Sequence, residues 1–195
     1  MALLVQHRSA SIEAYEHFEK QSYRNRCVIY GPNGPQNLIV PVDRSGWRSP
    51  IKDLKISYAE DWVANHLRAL ESAYNNSAFF AVLGDELFNV IQKKHNYLFD
   101  LNMELLHLLL NWLQDEEIQI TTTENYQKPA ANTPDLRLAI SPKKESLLID
   151  PPVYYQQFSG KHGHATDLSV IDLIFSEGRA AWDYLNDVKL AMPIN

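Results

Sequence analysis

Apolar and polar residues alternate along the first sixty positions in a pattern that predicts short strands. The apolar runs 28–30 and 38–42 are separated by a turn rich in Gly, Pro and Asn, which is typical of a β-hairpin. Residues 51–57 alternate with a period of two, as in a half-buried strand, and residues 12–18 are also predicted as a strand. The N-terminal part of the chain is therefore expected to be rich in strands.

From about residue 60 the apolar spacing changes to the 3.6-residue period of amphipathic helices. This period predicts helices over residues 60–74, 82–94 and 98–113, and the third is apolar on most of its faces, which indicates burial. The β-branched residues 118–123 then predict a further strand.

The last third of the chain is less regular. Residues 127–134 are predicted as a loop and residues 136–140 as a short strand. Ser169 and Asp172 have the spacing of a capping box, so a helix is expected to begin there, and Gly178 is its candidate C-cap before a last short helix.

The order of elements predicts a single mixed domain over residues 1–195. We expect an α/β fold in which helices pack on a central mixed sheet that includes the N-terminal β-hairpin. An α+β fold with an antiparallel sheet is the alternative, because the two strands of a hairpin must be antiparallel.

Composition and charge narrow the class of protein. The 195 residues are 45% hydrophobic and carry a formal net charge of -6, which argues against disorder and against a general nucleic-acid-binding surface. A single cysteine excludes an internal disulfide. The longest apolar segment, 105–113, is about half the length that a membrane span needs. We expect a cytoplasmic protein with no membrane span.

The richest segment in chemically active side chains is 16–27, which holds three cations, two carboxylates, a histidine, two amides and the cysteine. Arg24 and Arg26 are two residues apart and would point to the same face of an extended strand. With Lys20 they could bind an anionic ligand, because each guanidinium offers a planar fork of donors. The alternative is that these cations pair on a solvated surface with the neighbouring carboxylates of Glu13, Glu16 and Glu19.

Other candidates each have a structural alternative. His66 lies four residues after Trp62 on the same helical face, so it is either a buried structural histidine or a general base with an orienting partner. Cys27 is either small core filling or a nucleophile beside Arg26. Asp135 and Arg137 would form a structural ion pair.

The segment 160–166 contains His162 and His164 but has no third metal ligand at a fixed spacing, so no metal site is predicted. The segment is instead a candidate mobile lid, or else a surface connection. Ser169 follows it at a predicted helix N-terminus and is expected near a ligand. Nucleotide-binding, hydrolase and zinc-protease motifs are absent from the sequence, and no cofactor is predicted.

The ordered set of these segments resembles the WbqC-like family of bacterial proteins over nearly the full length. The matching segments are 16–18, 20–27, 33–34, 38–42, 51–56, Trp62 with His66, 72–74, 77–80, 101–102, Tyr126, 135–137, 155–158, and 168–175 with Gly178. The family usually begins with a strand ahead of its first helix. Residues 1–5 resemble the inside of that helix, so we expect the N-terminal strand to be missing.

The resemblance implies a role in surface-polysaccharide biosynthesis, because members of the family occur in O-antigen and other lipopolysaccharide gene clusters. It implies a transferase that moves a glycyl or other acyl group onto a nucleotide-linked amino sugar. The alternative is a non-catalytic binding or assembly protein for a sugar-linked anionic ligand.

In either case the expected partner is a small anionic or sugar-nucleotide ligand, and no nucleic acid is expected to bind. If the protein is the transferase, His66 would be its general base. The residues expected to bind the ligand are Lys20, Gln21, Arg24, Asn25, Arg26, Asp135, Arg137, Gln157 and Ser169.

Overall fold

The structure is a computed structural model that describes residues 1–113, 117–128 and 135–191. Most of the predicted loop 127–134 lies outside the described residues. The strands are β1 Ser9–Ile12, β2 Arg26–Gly31, β3 Gly34–Ile39, β4 Gln119–Thr122, β5 Leu148–Ile149 and β6 Lys189–Leu190. The helices are α1 Ala2–His7, α2 Trp62–Tyr74, α3 Phe80–Gln92, α4 Leu98–Leu113, α5 Ser159–His162, α6 Val170–Glu177 and α7 Ala181–Asp187. The predicted mixture of helices and strands is confirmed.

The three long central helices form where the 3.6-residue period predicts them. The side chain of Asp61 caps α2 by accepting a hydrogen bond from the backbone N–H of Ala64 at 3.3 Å. The apolar stripe of α2 from Trp62 to Tyr74 is buried, and α3 and α4 bury similar stripes. None of the described helices is long and apolar enough to cross a membrane.

Among the described residues the strands form three separate two-stranded ladders rather than one continuous central sheet. The hairpin is confirmed: β2 and β3 are antiparallel, from Arg26 opposite Ile39 to Gly31 opposite Gly34. The other ladders are parallel between β1 and β4 and antiparallel between β5 and β6. Instead of the predicted central sheet, the described strands are thus divided among three ladders.

Three of the predicted strands are wrong or shifted. The first is β1, which ends at Ile12 instead of beginning there, because its ladder partner is β4. Residues 51–57 begin with a 3-10 turn, Ile51–Asp53, and continue as single bridges. That segment buries Ile51, Leu54 and Ile56, so its apolar spacing of three and then two suits a turn followed by extended chain. Residues 136–140 form a turn with exposed apolar side chains.

The core centres on α6. Ile174 and Phe175 have no exposed surface, and the Phe175 ring lies 5.1 Å from the rings of Tyr74 and Phe80. Helix α6 also meets the hairpin, since the backbone N–H of Ser169 donates to Val28 at 2.7 Å. The hairpin is thus held between α2 and the start of α6, which fixes the position of the residues just before β2.

Candidate functional site

One polar pocket joins the segment before β2 to the segment around residue 137. We call it the arginine–carboxylate pocket; its volume is about 370 Å³. Its lining residues are Tyr15, Glu16, His17, Glu19, Arg24, Tyr126, Asp135, Arg137 and Leu138. Three of the predicted ligand-binding residues, Arg24, Asp135 and Arg137, therefore come together from distant parts of the chain.

Arg24 links the two segments. Its Nε and Nη2 donate to the two carboxylate oxygens of Glu16, both at 2.6 Å, and Nη2 also donates to the backbone oxygen of Arg137 at 2.9 Å. The Arg24 and Glu16 side chains are 13% and 17% exposed. The backbone oxygen of Arg24 accepts from Asn102 at 2.8 Å. The Nε and Nη2 donors of Arg24 are thus already occupied by a carboxylate of the protein itself.

The guanidinium donors of Arg137 are occupied by protein acceptors in the same way. Its Nε and Nη2 donate to the two oxygens of Asp135 at 2.8 Å each, and its Nη1 donates to the backbone oxygen of Gln127 at 3.0 Å. The hydrogen bonds from Arg137 lower the pKa of the Asp135 carboxyl, and they raise the pKa of the Arg137 guanidinium. The predicted ion pair between these residues is present.

Glu13 lies behind the pocket, with its carboxylate 3.7 Å from Arg137. Burial raises the pKa of the Glu13 carboxyl. Hydrogen bonds from Gln127 and Tyr15 N–H and from the Thr123 hydroxyl outweigh burial, so the pKa lies below its ordinary value. Glu13 is therefore a stable anion behind the lining of the pocket.

Carboxylates exceed guanidiniums in this pocket. The lining carries Glu16, Glu19 and Asp135 against two arginines, and Glu13 adds a fourth carboxylate. Glu19 is exposed and has no ion-pair partner among the described residues. The geometry thus favours a cationic or neutral polar ligand, whereas the anionic ligand expected from the sequence stays a prediction.

The other cations and amides before and within β2 lie outside the pocket. Lys20 Nζ lies over the Trp47 ring, 3.6 Å from its centroid, and Gln21 is exposed with a left-handed φ of 57°. Asn25 is buried and donates to the backbone oxygen of Val40 at 2.8 Å.

Arg24 and Arg26 do not share a face, contrary to the prediction from their spacing. Arg24 lies in a turn, and only Arg26 belongs to β2. The buried Nε of Arg26 has no hydrogen-bond partner among the described residues. The turn rotates Arg24 toward Glu16, so the rule of alternation along a strand does not apply to it.

His66 is buried on the inner face of α2. Its Nε2 lies 3.1 Å from the backbone oxygen of Ile39, and its ring packs edge-on against Trp62 with centroids 5.0 Å apart. Burial lowers the pKa of the imidazole, and the hydrogen bond to Ile39 opposes that effect. His66 is not among the residues that line the pocket, and its role as general base stays a prediction.

Ser169 and Cys27 line a second, larger space, which we call the apolar cavity; its volume is about 390 Å³. Ser169 is the N-cap residue of α6, but its side chain makes no capping hydrogen bond, and the nearby hydroxyl partly offsets the effect of burial on the pKa of the Cys27 thiol. Burial raises the pKa of Cys27 to about 11, so its thiol is protonated at neutral pH.

A buried network that the sequence did not predict lies beside this cavity. The Tyr154 hydroxyl donates to Asp172 at 2.7 Å, and Tyr74 also hydrogen-bonds that carboxyl. Burial raises the pKa of Asp172 above its ordinary value in spite of these bonds. The capping-box spacing did not indicate this buried role of Asp172, because an acidic residue in the first turn of a helix is usually exposed to solvent.

The segment 160–166 is firmly attached to the hairpin. Lys161 Nζ and His162 Nε2 both bond the backbone oxygen of Pro32, at 3.0 and 2.9 Å, and the Tyr30 hydroxyl donates to Gly163 at 2.5 Å. Within the described ranges no three potential ligands cluster around a metal position.

Gln156 and Gln157, which are neighbours in the sequence, have different surroundings. The buried side-chain amide of Gln156 bonds both the N–H and the backbone oxygen of Ala165, at 2.9 and 2.7 Å. The predicted ligand residue Gln157 has a buried Oε1 that finds no hydrogen-bond partner in the described part of the chain, and it lines neither of the two spaces.

Known proteins agree with the family that the sequence motifs indicate. The sequence profile of the WbqC-like protein family matches residues 11–147, and the chain belongs to this family. The chain is also 28% identical over 196 residues to "Uncharacterized protein Rv1507c" of Mycobacterium tuberculosis (strain ATCC 25618 / H37Rv), with 86% of this chain and 83% of that protein covered. No solved structure matches the chain.

Proposed function

We propose that the arginine–carboxylate pocket binds an amino sugar, and that the chain is a transferase that adds a glycyl or other acyl group to it during surface-polysaccharide synthesis. The resemblance to the WbqC-like family suggests the pathway and the class of acceptor. The pocket supports the acceptor from its own chemistry, because an amino sugar carries an ammonium group and several hydroxyls.

The observation that carries the proposal is the excess of carboxylates over guanidiniums. The Arg24 guanidinium is paired with Glu16, and the Arg137 guanidinium is paired with Asp135. The two arginines therefore neutralise those two carboxylates, and Glu19 is left to face the pocket. An unpaired carboxylate at a partly enclosed site attracts an ammonium more strongly than one in bulk water does. A phosphate in place of the ammonium would face the Glu19 carboxylate, so the proposal puts the amino sugar of a nucleotide-linked ligand in the pocket and its phosphates outside.

The rim of the pocket also suits a sugar ring. Tyr126 is 57% exposed and packs against the Arg137 guanidinium at 5.3 Å, which holds the aromatic ring at the pocket edge. An aromatic side chain combines a large apolar face with a polar hydroxyl, and both match the two kinds of surface on a pyranose.

The transfer itself requires an unprotonated amine. A base removes a proton from the ammonium, and the nitrogen attacks the carbonyl carbon of an activated acyl ester or thioester. The amide bond forms as the ester or thioester bond breaks, and the second proton lost by the nitrogen passes to the leaving group, which departs as an alcohol or thiol. His17 lines the pocket, whereas His66 does not, so His17 is the better placed of the two for this proton transfer.

Calorimetric titration with a nucleotide-linked amino sugar and with its N-acetylated counterpart tests the proposal. We expect the free amine to bind at least about tenfold more tightly, since an ammonium–carboxylate contact contributes on the order of 1.4 kcal/mol or more. Glu19→Gln should remove most of that preference. Glu60→Gln, an exposed glutamate before α2, should leave it unchanged. Equal binding of amine and N-acetyl sugar by the native protein would show the proposal to be wrong.

The rival function, a non-catalytic binding or assembly protein, is favoured by one observation. The sole cysteine is buried with a pKa raised to about 11, so it is a poor nucleophile at neutral pH. Turnover assays with acyl donors separate the two functions. Amino-sugar binding without turnover in the native protein supports the rival, and turnover that His17→Gln abolishes and His66→Gln retains supports the enzyme.

A further inference from the structure

The apolar cavity and the arginine–carboxylate pocket are lined by neighbouring residues of the same two segments. Tyr23 lines the cavity and Arg24 lines the pocket, and Ile140 lines the cavity while Leu138 lines the pocket. Neighbouring Cα atoms are only about 3.8 Å apart. The two spaces are therefore lined by residues that lie next to each other, or two positions apart, in the sequence.

The wall of the cavity is mostly apolar. It is built from β5, β6, the start of α6 and the end of α7, through side chains such as Leu148, Val170, Leu173 and Val188. Leu173 and Val188 are also part of the buried core. Its volume of about 390 Å³ falls within the usual range for small-molecule sites. If each non-hydrogen atom is given about 30 Å³, the volume of one water molecule in the liquid, the cavity holds a group of roughly a dozen such atoms.

Polar groups are confined to a few positions in this wall. The Tyr154 hydroxyl is held by Asp172, and the His164 ring packs edge-on against Tyr154 with centroids 5.5 Å apart. The charged side chains of the lining are Lys144, Glu145 and Asp167, one cation and two carboxylates. Met1 also lines the cavity, and burial lowers the pKa of its N-terminal amine, which favours the neutral form of that group. That balance gives no attraction for an anionic head group, so the lining matches an uncharged ligand.

We propose that the apolar cavity binds an uncharged apolar acyl group of up to about a dozen non-hydrogen atoms. That this group belongs to the donor of the transfer rests on the proposed function, but its binding in the cavity does not. The hydrophobic effect drives the binding, and Tyr154 and Ser169 orient the polar end.

The chain contains its own reporter for this cavity. Cys27 lines the cavity and is the single cysteine of the sequence, so any thiol label reports on this site alone. Methyl methanethiosulfonate is small and uncharged and should label Cys27 slowly at about pH 9, since only the thiolate reacts. A ligand in the cavity should slow the labelling, which intact-mass spectrometry follows.

The probes are the uncharged 1-alkanols from butanol to dodecanol. The concentration that gives half-protection should fall by about fourfold for each added methylene, until the chain outgrows the cavity and the fall stops. Octanoate should protect less well than octanol, because the charged side chains of the lining include more carboxylates than cations and burial favours the neutral form of the Met1 amine. Absence of protection at every alkanol chain length would overturn the proposal. Stronger protection by octanoate than by octanol would show that the cavity does not prefer an uncharged ligand.

Matched variants locate the binding. Val170→Trp narrows the cavity and should raise the half-protection concentration of octanol at least about tenfold. Val82→Trp, at a position 71% exposed on α3, should not change it. If Val170→Trp does not melt cooperatively, Leu148→Trp on β5 replaces it. Equal protection in native and narrowed proteins would overturn the proposal. This assay does not involve Glu19 or an amino sugar, so it can fail or succeed independently of the proposed function.

Discussion

At the scale of single residues, the same side chain can serve structure or chemistry, and its partners decide between them. His66 has the buried position and the main-chain partner of a structural histidine. Its pKa is lowered by burial, so the unfolded chain binds a proton more readily than the folded protein does. Stability from this residue is therefore complete above the unfolded pKa of about 6.5 and is lost as the pH falls toward the folded pKa.

We expect the native protein to lose stability below about pH 6.5, in part through His66. His66→Gln, whose amide can still donate to Ile39, should flatten that part of the pH profile. The measurement is the free energy of unfolding in urea at several values between about pH 5 and pH 8. His107→Gln on α4 is the control. Parallel profiles for the native protein and His66→Gln would contradict the prediction.

At the scale of elements, close packing between α3 and α6 depends on one glycine. Gly178 ends α6 with a left-handed φ of 59°, and a Cβ at this position would lie 2.5 Å from the ring of Phe79. The Phe79 N–H also donates to the backbone oxygen of Phe175 at 3.0 Å, which fixes the Phe79 backbone here, so the 37% exposed ring itself has to rotate away from an added Cβ. Both backbone strain and overlap therefore exclude a side chain here.

Gly178→Ala should destabilise the protein by about 2–4 kcal/mol, which combines the cost of the left-handed backbone with overpacking. Gly160→Ala is the matched control, because its Cβ meets no atom within 4 Å and its φ is not positive. It should change stability by less than about 1 kcal/mol. Urea denaturation measures both. A loss in Gly178→Ala no larger than that in the control would disprove the packing argument.

At the scale of the whole molecule, a few long-range contacts hold the pocket together. Arg24 joins Glu16 to the backbone of Arg137, which is 113 residues away in the sequence. Arg137 in turn reaches Gln127 and approaches Glu13. The pocket is thus assembled by charge-assisted bonds between segments that have little regular secondary structure of their own.

Arg24→Ala should lower the free energy of unfolding by about 2–3 kcal/mol, because it leaves the Glu16 carboxylate half-buried and unpaired. Hydrogen exchange over residues 135–140 should become faster, since the bond to Arg137 is lost. Arg48→Ala, an exposed arginine, is the control. Unchanged exchange over residues 135–140 would mean that Arg24 does not hold this segment.

The sequence by itself determined the elements whose signals are local. The three central helices, the hairpin and the C-cap at Gly178 follow from apolar periodicity and from turn residues, which act over a few neighbouring positions. The family motifs likewise indicated the WbqC-like family correctly. The strand pattern at residues 51–57 misled, because one apolar spacing suits both a strand and a turn followed by extended chain.

Only the tertiary structure decided how distant groups combine. Local spacing placed Arg24 and Arg26 together, whereas the fold turns Arg24 toward Glu16 and Arg137 and leaves Arg26 in the hairpin. The apolar cavity has the same origin, since its walls come from both ends of the chain. The physical reason is that the choice of an ion-pair partner or a cavity wall depends on which segments the whole chain brings into contact, and no local preference encodes that.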